Sequence, residues 1–136
     1  MRVITGEARG RILLGPKSDK IRPALDKVKG AVFNILGDRV TSARVLDLFA
    51  GTGAIGIEAL SRGAARATFI DESSEALRLV RANLERCGFT DRARVVQQII
   101  SSRGVLPGGI RRSPKGSPAR YPRSPRQFYL IFFSYF

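Results

Sequence analysis

The chain has no histidine and a single cysteine, Cys87, among its 136 residues. Without histidine, one thiol cannot build a zinc site, and it cannot close an internal disulfide. The lack of an internal disulfide suits a reducing compartment. No apolar run approaches the roughly 20 residues needed to cross a bilayer. The opening Met1-Arg2-Val3-Ile4-Thr5-Gly6-Glu7 lacks the apolar core of a secretory signal. A cytoplasmic location with no membrane partner is the expectation. Acidic residues are scarce as well, 11 against 24 lysines and arginines, for a formal net charge of +13. An excess of that size favours a polyanion, with nucleic acid ahead of an anionic membrane surface.

What is present is organised around Val45-Leu46-Asp47-Leu48-Phe49-Ala50-Gly51-Thr52-Gly53-Ala54-Ile55-Gly56. A short apolar run, read as a buried parallel strand, breaks into a glycine-rich turn. A helical pattern, Ile57-Glu58-Ala59-Leu60, follows and is closed by Gly63. Glycines admit a ligand where a Cβ would collide, and the helix start behind them offers unpaired N–H groups. Asp47 lies inside the apolar run, where an unpaired carboxylate would be costly. Gly51 to Gly56 also spell G-x-G-x-x-G, a pattern shared with dinucleotide-binding proteins and weak by itself. The bland alternative is a strand–turn–helix with no ligand.

Around this stretch the elements follow in order. Val3-Ile4 and Ile12-Leu13-Leu14 read as two short strands across a Gly-Glu-Ala-Arg-Gly turn, a hairpin rich in arginine. Such a hairpin suits phosphate contact, against the plain alternative of a solvated charged surface. Residues 26–36 read as a helix with Val28, Ala31, Val32, Ile35 and Leu36 on its apolar face. Asp26 caps its start in this reading, Gly37 ends it, and Phe33 falls off the stripe. Pro23 implies extended backbone at Arg22.

Ala67 to Glu72 read as a second parallel strand, whose Asp71 lies 18 residues beyond Gly53. Together these make a right-handed βαβ unit. A carboxylate at that strand end can accept from vicinal ribose hydroxyls, and Asp71 is the candidate, with Glu72 competing. Residues 74–87 read as the next helix, opened by Ser73-Ser74, with Cys87 on the apolar face as a core residue. Ala93 to Gln98 start like a third strand. The fold class expected is α/β, a doubly wound, mostly parallel sheet.

The string Asp47-Leu48-Phe49-Ala50-Gly51-Thr52-Gly53-Ala54-Ile55-Gly56-Ile57-Glu58-Ala59 resembles the first motif of S-adenosylmethionine-dependent methyltransferases. Arg2-Val3-Ile4-Thr5-Gly6, Arg9-Gly10-Arg11, and the run from Ile21-Arg22-Pro23 to Phe33-Asn34-Ile35-Leu36 narrow the likeness. In order and spacing they resemble the bacterial small-subunit ribosomal RNA guanine-N2 methyltransferase family, the RsmD type. The likeness covers about residues 2–96. It implies a Rossmann-like class I methyltransferase fold and S-adenosylmethionine as cofactor. It further implies cofactor contacts at Asp47, Phe49, Gly51, Gly53 and Asp71, and RNA contacts at Arg9, Arg11, Lys20 and Arg22. The partner it implies is ribosomal RNA or an assembling small subunit, bound by a monomer.

The resemblance stops near Gln98. Residues 99–136 hold seven lysines and arginines, no acid and five of the seven prolines. They are expected to form an irregular basic tail, or to be read out of the frame of the first part. Phe128 to Phe136 turns apolar, which reads either as a further strand near 128–133 or as a hydrophobic end prone to aggregation. The family's Asp/Asn-Pro-Pro-Tyr/Phe motif, which orients the guanine amine, is absent, since no Pro-Pro pair occurs. No catalytic residue is assigned. The organisation expected is a basic hairpin over 1–25, half of a methyltransferase domain over 26–98, and the tail. Two other functions compete: a non-catalytic basic RNA-binding module, and a nicotinamide-dependent oxidoreductase that uses the literal glycine pattern.

Overall fold

The computed structural model describes residues 1–15, 22–99 and 129–133, and for 22–25 and 129–133 the backbone alone. Four strands form one parallel sheet in the order β3-β2-β1-β4. They are β1 (Arg44–Leu48), β2 (Arg66–Asp71), β3 (Ala93–Gln97) and β4 (Tyr129–Phe133). Helix α1 (Arg22–Leu36) precedes the sheet. Helices α2 (Ala54–Ser61) and α3 (Ser74–Cys87) make the crossovers from β1 to β2 and from β2 to β3. Leu48 pairs with Ile70 on one side and with Phe133 on the other.

The chain adds β2 and then β3 on one side of β1, and β4 on the opposite side. That reversal is a topological switch point, and open parallel sheets bind ligands in the crevice at the strand ends there. The glycine turn leaves β1 at that place. Below it, Val45, Ala67 and Phe69 from the sheet pack with Ile57, Leu60, Val80 and Leu84 from the crossover helices.

The amino-terminal segment is a hairpin with a single antiparallel bridge, Arg2 to Ile12, rather than two full strands. It lies along α2. Glu7 N–H donates to the Ser61 carbonyl (2.8 Å), and Ala8 N–H to Ser61 Oγ (2.9 Å). A Cβ at Gly6 would stand 1.9 Å from the Ser61 carbonyl oxygen, so only glycine allows this approach.

Helix α1 departs from the sequence reading in two ways. It begins at Arg22, which is helical rather than extended, because proline is tolerated in a first helical turn. Asp26 is therefore inside the helix rather than its cap. Its buried face is also different. Lys29 and Phe33 are buried, whereas Val28 is 56% and Ile35 81% exposed. The cause is a buried charge. Lys29 Nζ donates to the Arg2 carbonyl (2.7 Å) and pairs with Glu58 Oε2 (3.3 Å), itself fully buried. Glu58 also accepts from the backbone N–H of Ile4 (2.9 Å) and Thr5 (3.1 Å) and from Arg62 Nε (2.9 Å). The Arg62 guanidinium lies over the Phe33 ring at 4.8 Å. This network rotates α1 and fastens the hairpin to α2.

Candidate cofactor site

The residues from Phe49 to Gly53 make the turn. Three of them have positive φ: Phe49 at 58°, Gly51 at 56° and Gly53 at 78°. For phenylalanine this region costs energy, of order 1–3 kcal/mol, and such outliers gather at functional sites. Gly53 ends the turn as the residue before α2, and its N–H donates to the Ala50 carbonyl (2.7 Å). A Cβ on Gly53 would meet Val80 at 3.3 Å, so α3 closes the turn from behind.

Asp47 is fully buried, and its Oδ2 accepts from Gly56 N–H (3.0 Å). The strand thereby supplies a cap to the first turn of α2. Gly56 serves packing: a Cβ there would lie 2.3 Å from the Phe69 ring and 3.2 Å from Asp47 Oδ2.

Asp71 stands at the end of β2, 9% exposed. Its Oδ2 accepts from Gly51 N–H (2.9 Å) and its Oδ1 from Ser73 N–H (2.9 Å). Both oxygens are thus aimed by backbone donors, and each keeps lone-pair capacity for a further donor. The competing Glu72 is exposed, and its carbonyl accepts from Gln97 Nε2 (3.1 Å). Ser73 caps α3 through Oγ, accepting from Ala76 N–H (3.2 Å). The carboxylate and the cap are therefore neighbours with separate tasks.

One contributor is missed by the sequence reading. Asn83 is fully buried, and its Nδ2 donates to the carbonyls of Thr52 and Leu14, both at 2.9 Å. Its Oδ1 accepts from Leu14 N–H at 2.6 Å. One amide holds the turn, the hairpin and α3 together. The available signal was position: Asn83 follows Val80 by three and precedes Leu84 on the apolar stripe of α3. Met1 reinforces the contact, with Thr52 Oγ1 3.8 Å from its sulfur. Glu58 and Lys29, also unassigned from sequence, anchor the hairpin described above.

The candidate RNA contacts separate. Arg9 is exposed. Arg11 is engaged, its Nη1 donating to the Arg86 carbonyl (2.8 Å) near the carboxyl end of α3. Lys20 and the side chain of Arg22 lie outside the described residues. Cys87 is buried, and burial pushes its thiol pKa up despite the nearby Arg11 and Arg86 charges. That agrees with a core cysteine. Among the described residues no helix is long and apolar enough to cross a membrane, and no cluster of metal-ligating side chains occurs.

A parallel sheet with a switch point, a strained glycine turn and a carboxylate at the next strand end define a Rossmann-like class I methyltransferase fold. The family model described as conserved hypothetical protein 95 matches residues 1–106, and the chain belongs to that family, the one of the RsmD-type ribosomal RNA methyltransferases. Ribosomal RNA small subunit methyltransferase D of Escherichia coli K12 is 49% identical over 71 residues, which are 52% of this chain and 36% of that protein. Its Haemophilus influenzae namesake is 37% identical over 100 residues, covering 72% and 51%. Among solved structures, Escherichia coli yhhF, titled a putative methyltransferase, superposes with a TM-score of 0.64 at 42% identity, covering 72% of this chain and 52% of that one. A hypothetical protein of a Thermus species gives 0.62 at 38% identity, covering 72% and 55%. The chain spans about half the length, or less, of the curated relatives it matches.

Proposed function

We propose that this chain is the cofactor-binding half of an S-adenosylmethionine-dependent ribosomal RNA guanine-N2 methyltransferase. The observation that carries the reading is the Asp71 carboxylate, aimed by the N–H groups of Gly51 and Ser73 beside a turn at the switch point. The residues fit the cofactor. Asp71 would accept from the ribose hydroxyls, and Gly51 and Gly53 leave space for the methionine end. Phe49 borders the same turn, and Asp47 holds the turn's geometry through Gly56. When bound, S-adenosylmethionine supplies an electrophilic methyl group on sulfur. The exposed Arg9 would meet RNA phosphate.

Methyl transfer also needs a polar acceptor for the amine proton and alignment of the base. The chain has no Pro-Pro pair to build the family's motif for that task. We therefore expect cofactor and RNA binding with little or no turnover. The missing pair also favours a second reading, a basic RNA-binding module without catalysis. Gly53→Arg should block the cofactor turn, and the second reading predicts that it leaves RNA affinity intact.

Calorimetry with S-adenosylhomocysteine tests the cofactor site. Saturable binding to the purified chain, weakened at least tenfold in Asp71→Ala, is the expected result. A soluble, folded wild-type chain that shows no binding refutes the proposal.

A further inference from the structure

Within the glycine turn, the peptide that joins Gly51 to Thr52 stands apart from its neighbours. The peptide before it is locked at both ends, because the Ala50 carbonyl accepts from Gly53 N–H (2.7 Å) and Gly51 N–H donates to Asp71 Oδ2 (2.9 Å). The peptide after it is locked as well. Its N–H is that same Gly53 donor, and its Thr52 carbonyl accepts from Asn83 Nδ2 (2.9 Å). Between them, the Gly51 carbonyl and the Thr52 N–H make no hydrogen bond among the described residues. Both residues are partly exposed. A free acceptor and a free donor thus lie side by side at the switch point, and the flanking peptides set their directions.

The Asn83 hydrogen bond is the restraint on the far side of that unit. Thr52 lies between two glycines at φ 56° and 78°, and glycine offers little steric resistance to a peptide turning over. The amide itself cannot swing away, because Leu14 holds it from both sides. Its Nδ2 donates to the Leu14 carbonyl (2.9 Å), and its Oδ1 accepts from Leu14 N–H (2.6 Å). Asn83 is fully buried, so it acts on a ligand only through the turn.

We infer that Asn83 is a positioning residue for the cofactor turn, which fixes the free peptide and with it the grip on the cofactor's amino-acid end. The inference rests on the cofactor reading above and divides that site into two halves. An amino-acid end brings an ammonium, which donates, and a carboxylate, which accepts, and these match a carbonyl and an N–H left unpaired. The ribose end depends on Asp71 instead.

The test is calorimetry of the full chain with two ligands. S-adenosylhomocysteine carries the amino-acid end, and 5′-methylthioadenosine keeps the nucleoside without it. Asn83→Ala should weaken S-adenosylhomocysteine about tenfold, as loss of a buried hydrogen bond implies, and leave 5′-methylthioadenosine close to wild type. Asn83→Asp has the same shape, keeps the acceptor for Leu14 and offers at most one donor for two carbonyls, so it should show the same selectivity with a smaller loss. Asp71→Ala should weaken both ligands together. Ser61→Ala loosens the same hairpin away from the turn, by removing the partner of Ala8 N–H and of the Thr5 carbonyl, and should not alter the ratio of the two affinities. Circular dichroism reads folding, and if Asn83→Ala does not fold, Asn83→Asp decides.

A folded Asn83 variant that weakens both ligands equally, or neither, overturns the positioning role. So does the same selective loss in Ser61→Ala, or a wild type that holds the two ligands alike. A wild type that binds neither ligand refutes the cofactor reading itself and the positioning role with it.

Discussion

Replacing Glu58 by leucine removes the centre of the buried network and leaves Lys29 with its charge 2% exposed. Breaking a buried ion pair from one side costs about 3–5 kcal/mol where the remaining charge is left uncompensated, and Asp26 Oδ1, 3.5 Å from Lys29 Nζ, places the loss here towards the lower end. The N–H groups of Ile4 and Thr5 lose their acceptor too, at about 1–3 kcal/mol for each that stays dry. Against a total stability of roughly 5–15 kcal/mol, such a loss puts the variant near its unfolding threshold. Lys29→Met alone leaves Glu58 paired with Arg62 at 2.9 Å, so its cost should be smaller. The double variant removes both charges. It should be less destabilised than the sum of the singles by about 2 kcal/mol or more, since neither orphan remains. Urea unfolding followed by circular dichroism, at constant m-value, reads all four corners of the cycle. Additive losses, or a Glu58→Leu cost under about 1 kcal/mol, would show that the pair is not the fastening described here.

Gly56→Ala should destabilise the chain by about 1–3 kcal/mol, since the new Cβ falls 2.3 Å from the buried Phe69 ring; unchanged urea stability would contradict that packing. Gly30→Ala should do the opposite and stabilise by about 0.5–1 kcal/mol, because the site is helical and the nearest atom, Ile4 Cδ1, is at an ordinary 3.7 Å. Burial raises the Cys87 thiol above its usual value of 9.0, so its contribution is full below pH 9 and is lost as pH rises through the raised value. Stability measured from pH 8 to 10.5 should therefore fall more steeply in wild type than in Cys87→Ala, and parallel curves would refute it. If residues after 98 leave the ancestral frame, translating the other two frames of the gene downstream should reveal Asp/Asn-Pro-Pro-Tyr/Phe. Its absence from both would leave the basic tail as native sequence.

Elements with strong local signals are legible in the sequence. Helix α3 runs from Ser74 to Cys87 as its stripe and Ser73 cap dictate, and β2 spans Arg66–Asp71, one residue earlier at each end than the expected 67–72. The glycine turn was legible because its conformation demands particular residues at particular places. Helix α1 was misread for a physical reason. Periodicity counts apolar residues, and it assigned Val28 and Ile35 to the core. A lysine–glutamate pair 29 residues apart in sequence outweighed that stripe and turned Lys29 and Phe33 inward. Asn83 was invisible for a related reason: its three partners are backbone atoms, and backbone carries no sequence signature. The strand expected near 128–133 is Tyr129–Phe133, in register beside β1. The irregular character expected of residues 100–128, like the RNA contact expected at Lys20, lies outside the described residues.

The Asn83 clasp makes the stability of two distant segments a common property. Withdrawing the Asn83 side chain releases Leu14 and Thr52 from α3 together, because a single amide binds both. Fluctuations that lift the first fifteen residues strip two of the three hydrogen bonds from the amide that holds Thr52. A ligand that ordered the turn would by linkage also quiet those residues, and whatever gripped the hairpin would tighten its hold by the same factor. The first fifteen residues and the turn are in that sense one cooperative unit.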